Sequence, residues 1–280
     1  MAIRFLFLLA MVLAAILGLV LGIFESITWA WAYPALTLGF FLVVCALAFG
    51  WLMILCKRVD QSKPQDKDDP LYRWVAEQIV ESVLPILRID VKTKGLNKIP
   101  TNERFLLVCN HCSLADPVVL LGAFAHRQVA FISKKENKDM FVVGPIMHKM
   151  YCQLIDREND REALKTILKC ISILKEDEAS IGVFPEGYIH DDLKLHRFRP
   201  GVFKIAQKAQ VPIVVCTLKG TKDVLPNLPK WKHTDVELNL LEVIPAEELA
   251  DVTTTEIADR IYQLMADDLG PENVSQEQNT

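Results

Sequence analysis

The residue types in this chain whose spacing can do chemistry gather in one stretch, Asn110-His111-Cys112-Ser113-Leu114-Ala115-Asp116. An imidazole and a carboxylate five positions apart can meet when the segment between them is a loop. A carboxylate on one ring nitrogen fixes the tautomer and leaves the other nitrogen free to take a proton. That arrangement suits general-base activation of a weak nucleophile such as a hydroxyl. Plainer explanations stand beside it. Asp116 followed by Pro117 reads as an N-cap and a first-turn proline, which a helix start alone would explain. Cys109 and Cys112 have a CxxC spacing that His148 and Cys152 could complete to four metal ligands. The second pair has no matching CxxC, however, and Cys109 fits the end of a buried strand. Ser113 reads as a loop or cap hydroxyl rather than a nucleophile.

The elements around this stretch decide whether its residues can converge. Phe105 to Cys109 is an apolar run that reads as a buried strand, and Pro117 opens a second apolar run that reads as a helix. Asn110, His111 and Asp116 then lie at the carboxyl end of a strand, where open α/β sheets bind ligands. From Ile89 onward the pattern alternates. Strands are expected at 89–94, 104–109, 128–133, 151–155, 180–184, 211–218 and 236–243. Helices are expected at 117–125, 145–150, 160–175, 202–209 and 254–268. The fold class this implies is α/β, a mixed and mainly parallel sheet flanked by helices. The strand ending at Phe184 runs into Pro185-Glu186-Gly187-Tyr188-Ile189-His190. Pro185 and Gly187 suit a tight turn, and Glu186 at its tip would face the same sheet edge as His111. No internal repeat and no Gly-rich nucleotide loop is present.

Composition sets outer bounds. The chain has 280 residues, 51% of them hydrophobic, and a net charge of -4. No general nucleic-acid footprint exists, and an anionic substrate must be held by a local cluster of cations. Seven cysteines with scattered spacing argue against a disulfide framework. Arg4 and Glu25 are the sole charges before Lys57. Ile3 to Phe24 and Pro34 to Cys56 are each long and apolar enough to span a bilayer as a helix. Trp29, Trp31, Tyr33 and Trp51 suit interfacial positions, and Lys57, Arg58, Lys63 and Lys67 follow the second run. Residues 1–58 therefore read as an uncleaved membrane hairpin with both ends in the cytoplasm, although a hairpin dipping into one leaflet would show the same charges. Residues 59–88 read as a polar linker and an amphipathic helix kinked near Pro85, 89–270 as the main domain, and the polar tail from Pro271 as disordered.

The two motifs together resemble the membrane-bound lysophospholipid acyltransferase family, whose type members are the 1-acylglycerol-3-phosphate acyltransferases. The family's first block, Asn-His-x-Ser-x-x-Asp, is matched by Asn110, His111, Ser113 and Asp116, with Cys112 where Gln is often seen. Ile155-Asp156-Arg157 looks like the second block, a basic residue after a strand. Phe184, Pro185, Glu186 and Gly187 match the third, Phe-Pro-Glu-Gly-Thr-Arg, but Tyr188 and Ile189 replace its Thr and Arg. Arg199-Pro-Gly201-Val-Phe203 resembles the segment before the fourth block, which Val211, Pro212 and Ile213 match. The resemblance covers about Lys94 to Gly220, in the family's order.

The resemblance implies transfer of an acyl group from a thioester, acyl-CoA or acyl-carrier protein, to the hydroxyl of a lysophospholipid at the membrane. No cofactor or metal is implied. His111 would be the base and Asp116 its orienting partner. Asn110, Ser113, Arg157, Glu186, Gly187 and Arg199 are expected to bind substrate, with backbone N–H groups near Gly187 suggested for the thioester oxygen. Isoleucine at 189 cannot hold a phosphate as the family's arginine does. Arg157, Lys194, His196, Arg197, Arg199, Lys134 and Lys135 are the cations left for that work, and each singly is also an ordinary solvated charge. A different lipid acceptor, a membrane thioesterase and a non-enzymatic scaffold of the same fold are the alternatives.

Overall fold

The computed structural model describes residues 2–23, 31–65, 67–156 and 159–275. The expectations placed on Trp29 and Arg157 fall outside them. The chain forms two units, residues 1–63 and 64–280.

In the first unit, helices α1 (Ala2–Val20) and α2 (Ala32–Lys57) pack antiparallel. The Phe7 ring meets Phe41 edge-on with centroids 5.6 Å apart, and the Tyr33 hydroxyl donates to the Met11 carbonyl at 3.2 Å. Ala10 and Ala14, one turn apart, are fully buried, and such small residues let two helices approach closely. Phe5, Leu8, Leu42 and Leu47 point outward and are exposed. Both helices are long and apolar enough to cross a membrane.

The second unit is built on a seven-stranded sheet, β1 (Ile89–Lys94), β2 (Leu106–Cys109), β3 (Val129–Lys134), β4 (Gln153–Ile155), β5 (Ser180–Val183), β6 (Ile213–Lys219) and β7 (Thr234–Ile244), in the order β1-β7-β6-β2-β5-β3-β4. Neighbouring strands are parallel except for the antiparallel β6–β7 pair. Helices α3 (Pro70–Ile86), α4 (Asp116–Ala123), α5 (Val143–Lys149), α6 (Asp160–Lys175), α7 (Lys204–Ala209), α8 (Val224–Asn227) and α9 (Thr254–Leu269) cover it. All the expected strands and helices are present, with ends moved by two residues or fewer.

Strand β2 shows why its run is continuously apolar. Leu106 and Val108 join the core beneath α6, α7 and α9, with Ile173, Phe203 and Ile261. Leu107 and Cys109 join the opposite core beneath α3, α4 and α8, with Leu84, Val119 and Val224. A strand covered on both faces needs apolar residues at every position.

Helix α3, the expected amphipathic helix, packs on the folded unit. Tyr72, Val75, Ala76 and Val80 are buried. The buried Arg73 guanidinium takes both oxygens of Asp68, at 2.7 and 2.6 Å, and donates to the Val129 carbonyl at 3.2 Å. The interruption expected near Pro85 takes the form of a helix end: α3 stops at Ile86, one residue past that proline.

The tail expected to be disordered from Pro271 is ordered to Ser275. It makes a 3-10 turn over Pro271–Asn273. Leu195 N donates to Asn273 O at 2.8 Å, and Ser275 N donates to Leu195 O at 3.0 Å. A polar sequence does not prevent order when its backbone groups find partners.

Candidate active site

Helix α4 begins at Asp116, with Ala115 in the capping position. This corrects the reading of Asp116 as an N-cap. Ala115 is already in the helical region, so the Asp116 side chain reaches back over the loop that precedes it. Its Oδ2 accepts from the backbone N–H groups of Cys112 and Ser113, both at 2.8 Å. The same oxygen lies 2.9 Å from His111 Nδ1. Asp116 is 0% exposed. An ionised carboxylate only accepts, so Nδ1 carries the proton and Nε2 presents a lone pair. The imidazole stacks on Phe184, with centroids 4.1 Å apart and planes at 17°.

Asn110 sets the start of this loop. Its amide nitrogen donates to Leu218 O at 3.0 Å and its oxygen accepts from Leu218 N at 2.8 Å. The side chain thus imitates a strand residue and ties the end of β2 to β6. Ser113 Oγ accepts from Ala115 N at 3.1 Å, a loop hydroxyl as its type suggested. Asn110 bonds the backbone through both ends of its amide and Ser113 accepts one backbone N–H, so both residues shape the loop.

Glu186 sits at the turn after β5 and is 2% exposed. Its Oε1 accepts from His111 N at 2.7 Å, and its Oε2 accepts from His196 N at 3.0 Å. Burial pushes its carboxyl up to about 8, and Asp116 and Asp192 add to the rise. The two N–H donors favour the ionised form, but desolvation outweighs them.

Gly187 follows at φ +94°. A Cβ there would lie 3.0 Å from Arg199 Nε. Its N–H donates to Phe184 O at 3.0 Å and closes the turn, so of the N–H groups suggested near Gly187 its own is already engaged. Arg199 N donates to Pro185 O at 2.9 Å, which holds the arginine against the turn. Beyond it, the Tyr188, His190 and His196 rings form a column, with the first pair tilted and the second stacked. Their centroids are 4.1 and 3.4 Å apart, and His196 Nε2 meets Asp192 Oδ1 at 2.9 Å. This column occupies the stretch in which Tyr188 and Ile189 break the third motif.

A cavity of about 260 Å³ opens between these loops. His111 and Glu186 stand on its wall, as do Lys194, Lys219, Lys222 and Asn273. Lys219 pairs with Asp268 at 3.2 Å, and Lys222 donates to Asn273 Oδ1 at 2.9 Å. The sequence reading missed Lys219, Lys222 and Asn273. The two lysines flank the end of β6, which was the one signal available.

The cysteines take no part in acid–base chemistry here. Burial, helped by the nearby Asp116, pushes the Cys112 thiol up to about 12. Its sulfur lies 3.3 Å from Thr221 Oγ1. Cys152 Sγ instead accepts from Phe131 N at 3.3 Å. The CxxC pair and its two expected partners do not converge, and among the described residues no group of three or more His, Cys, Asp or Glu is placed to hold a metal ion.

Comparison with known proteins gives this geometry a family. Residues 90–219 match the family model described as Acyltransferase, a segment that holds both the His111–Asp116 pair and Glu186. Over those residues the chain is similar to the acyltransferase family. The same stretch is similar to curated proteins of a yeast and a plant. The chain is 26% identical over 203 residues to the 1-acyl-sn-glycerol-3-phosphate acyltransferase of Saccharomyces cerevisiae, covering 71% of this chain and 66% of that protein. It is 30% identical over 187 residues to the chloroplastic 1-acyl-sn-glycerol-3-phosphate acyltransferase BAT2 of Brassica napus, covering 66% of this chain and 53% of the relative. The match thus spans between half and two thirds of these relatives' own lengths. The fold is that of the crystal structure of the 1-acyl-sn-glycerophosphate acyltransferase PlsC from Thermotoga maritima. The TM-score is 0.57 at 23% identity, with 78% of this chain and 88% of that chain covered.

Proposed function

We propose that this protein moves an acyl group from an acyl thioester to the free hydroxyl of a lysophospholipid, converting lysophosphatidate to phosphatidate at a membrane. The observation that carries this is the His111–Asp116 pair, in which a buried carboxylate lies 2.9 Å from Nδ1; with the proton on Nδ1, Nε2 is the lone pair left to act as base. The acceptor hydroxyl oxygen forms a bond to the thioester carbonyl carbon while His111 Nε2 takes its proton. The carbon–sulfur bond then breaks, and the departing thiolate recovers a proton from the imidazolium, which Asp116 stabilises in the interval. No protein nucleophile is required, and the protonated Cys112 thiol does not offer one.

The names of the relatives support lysophosphatidate as the acceptor. Its phosphate needs charge-assisted donors, for which arginine has the better geometry. Arg199, held beside Gly187, and Arg157 are assigned that work in place of Ile189, with Lys194 and Lys222 on the cavity wall. The two N-terminal helices anchor the chain, and the cations from Lys57 to Lys67 put the acyltransferase domain on the cytoplasmic side.

The test is to supply membranes containing the protein with labelled acyl-CoA or acyl-carrier protein and a panel of lysolipids. Labelled phosphatidate from lysophosphatidate is the expected product, and the productive donor identifies itself. Labelled free fatty acid alone would make the protein a thioesterase. No transfer with either donor would reduce it to a scaffold.

A further inference from the structure

The chain returns to the His111 site near its C-terminal end. Helix α9 stops at Leu269, and Gly270, at φ +84° and ψ 156°, turns the backbone out of it. That conformation is open to glycine and to almost nothing else. A 3-10 turn over Pro271–Asn273 follows. Val274 then bridges Leu195 in parallel, with Leu195 N donating to Asn273 O at 2.8 Å and Ser275 N donating to Leu195 O at 3.0 Å. Leu195 is itself buried in the core, so the segment is tied to a fixed loop. Asn273 thereby lines the same cavity as His111 and Glu186.

The Asn273 side chain has one orientation. Its amide nitrogen donates to Leu269 O at 2.9 Å and to Glu272 Oε1 at 3.1 Å. With both amide hydrogens used, Oδ1 is the acceptor left over. It takes Lys222 Nζ at 2.9 Å. An amide carries no charge, so the contact directs the ammonium without neutralising it. Lys219, close by on the same wall, is different, because Asp268 pairs with it at 3.2 Å. Among the described residues no carboxylate stands at ion-pair distance from Lys222 or from Lys194. The Lys222 charge also reaches the His111 loop, where it opposes the rise of the Cys112 thiol. A half-buried ammonium that keeps its charge and its other N–H donors, on the wall of a cavity of about 260 Å³, suits an anion. Acyl transfer to a lysophospholipid supplies one, the phosphate of the acceptor or that of the thioester's carrier.

We propose that Asn273 is a positioning residue that holds the Lys222 ammonium on the cavity wall to bind a substrate phosphate. This role rests on the acyl-transfer function proposed for the site, and it makes the C-terminal segment a working part of that site.

Purified full-length protein in detergent is titrated with inorganic phosphate, and binding is read from broadening of the phosphorus NMR line. Asn273→Leu removes the acceptor at nearly constant size, Asn273→Asp keeps an acceptor but neutralises Lys222, and Lys222→Met removes the charge. Each should bind phosphate about tenfold more weakly, the equivalent of one charge-assisted hydrogen bond. Lys222→Arg keeps the cation and should retain binding. In steady-state acyl transfer the three weakened variants should raise one substrate's Michaelis constant about tenfold and leave kcat within about twofold, as lost uniform binding does. A rise for lysophosphatidate assigns the site to the acceptor phosphate, and a rise for the acyl thioester assigns it to the carrier's. Phosphate binding that is absent from the unsubstituted protein, or unchanged in a folded Asn273→Leu or Asn273→Asp, overturns the proposal. So does a fall in kcat with both Michaelis constants unchanged. If the unsubstituted protein transfers no acyl group, the acyl-transfer function fails, and the phosphate titrations still decide the role of Asn273.

Discussion

Asp116 and Glu186 are both buried carboxylates at the strand-end edge, yet their oxygens are used differently. Asp116 gathers two backbone N–H groups and His111 Nδ1 onto Oδ2, while its Oδ1 has no hydrogen-bond partner among the described residues. Glu186 divides its oxygens between His111 N and His196 N, on two different loops. One carboxylate acts on the imidazole ring. The other acts on the backbone that carries it and staples the loop after β2 to the loop after β5. The residue type alone does not reveal this difference; the donors that reach each oxygen do.

The largest effect expected is that of removing the ring both carboxylates serve. His111→Ala should lower turnover by on the order of 10²–10⁴ with the fold intact, since a positioned general base contributes that much. Acyl transfer by the purified variant at a near-normal rate would end the mechanism. Asp116→Asn should come next, with a loss on the order of 10² and little change in melting temperature. Asparagine can still accept the Cys112 and Ser113 N–H groups, but it supplies no negative charge for the imidazolium. A wild-type rate in Asp116→Asn would make Asp116 a loop brace like Glu186 and erase the contrast.

Glu186 should show itself in stability against pH. Its folded-state value, about 8, lies above the ordinary 4.5. Between those values the folded chain holds more protons at this site than the unfolded chain does. The contribution is therefore fully present below about pH 4.5 and is lost as pH rises through about 8, with a slope of up to about 1.4 kcal/mol per pH unit. Glu186→Gln should flatten that slope in denaturant titrations. It should also cost about 1–3 kcal/mol at low pH, because the amide NH₂ faces one of the two N–H donors. A slope unchanged in the variant would place the titration elsewhere.

Much of this was legible in the sequence because the signals are local. The central strands are short runs of mostly apolar residues between breakers, and β2 is apolar throughout because helices cover both faces. The His111–Asp116 pair could be read because five residues separate its members and a strand end and a helix start bracket them. The role of Glu186 could not. Its second donor, His196 N, lies ten residues on in a segment with no periodicity. The Gly187 N–H looked available because nothing in the sequence says that Phe184 O takes it. The cavity wall was hidden for the same reason: Lys194, Lys222 and Asn273 come from separate segments that only the folded chain brings together, and the last lies in a tail whose polarity suggested disorder.

The smallest effects should come from the loop after β5, where the chain departs from the motif of the family it resembles. Arg199 stands against Gly187 with its backbone fixed to Pro185, and phosphate binding by its guanidinium is the proposal to be tested. Arg199→Ala should raise the apparent Michaelis constant for lysophosphatidate about tenfold, the equivalent of one charge-assisted hydrogen bond, and leave the maximal rate nearly unchanged. Ile189 is half-buried beside the Tyr188–His190–His196 column. With lysophosphatidate as the acceptor, Ile189→Arg adds a donor where the family has one, and the Michaelis constant should fall a few-fold or stay level. With an acceptor lacking a terminal phosphate, the same change puts an unpaired charge next to apolar rings and should harm binding. Steady-state kinetics of the two variants against lysophosphatidate and a zwitterionic lysolipid decide between these. Unchanged constants in both variants would move phosphate recognition away from this loop, and the contrast would then rest on Asp116 and Glu186 alone.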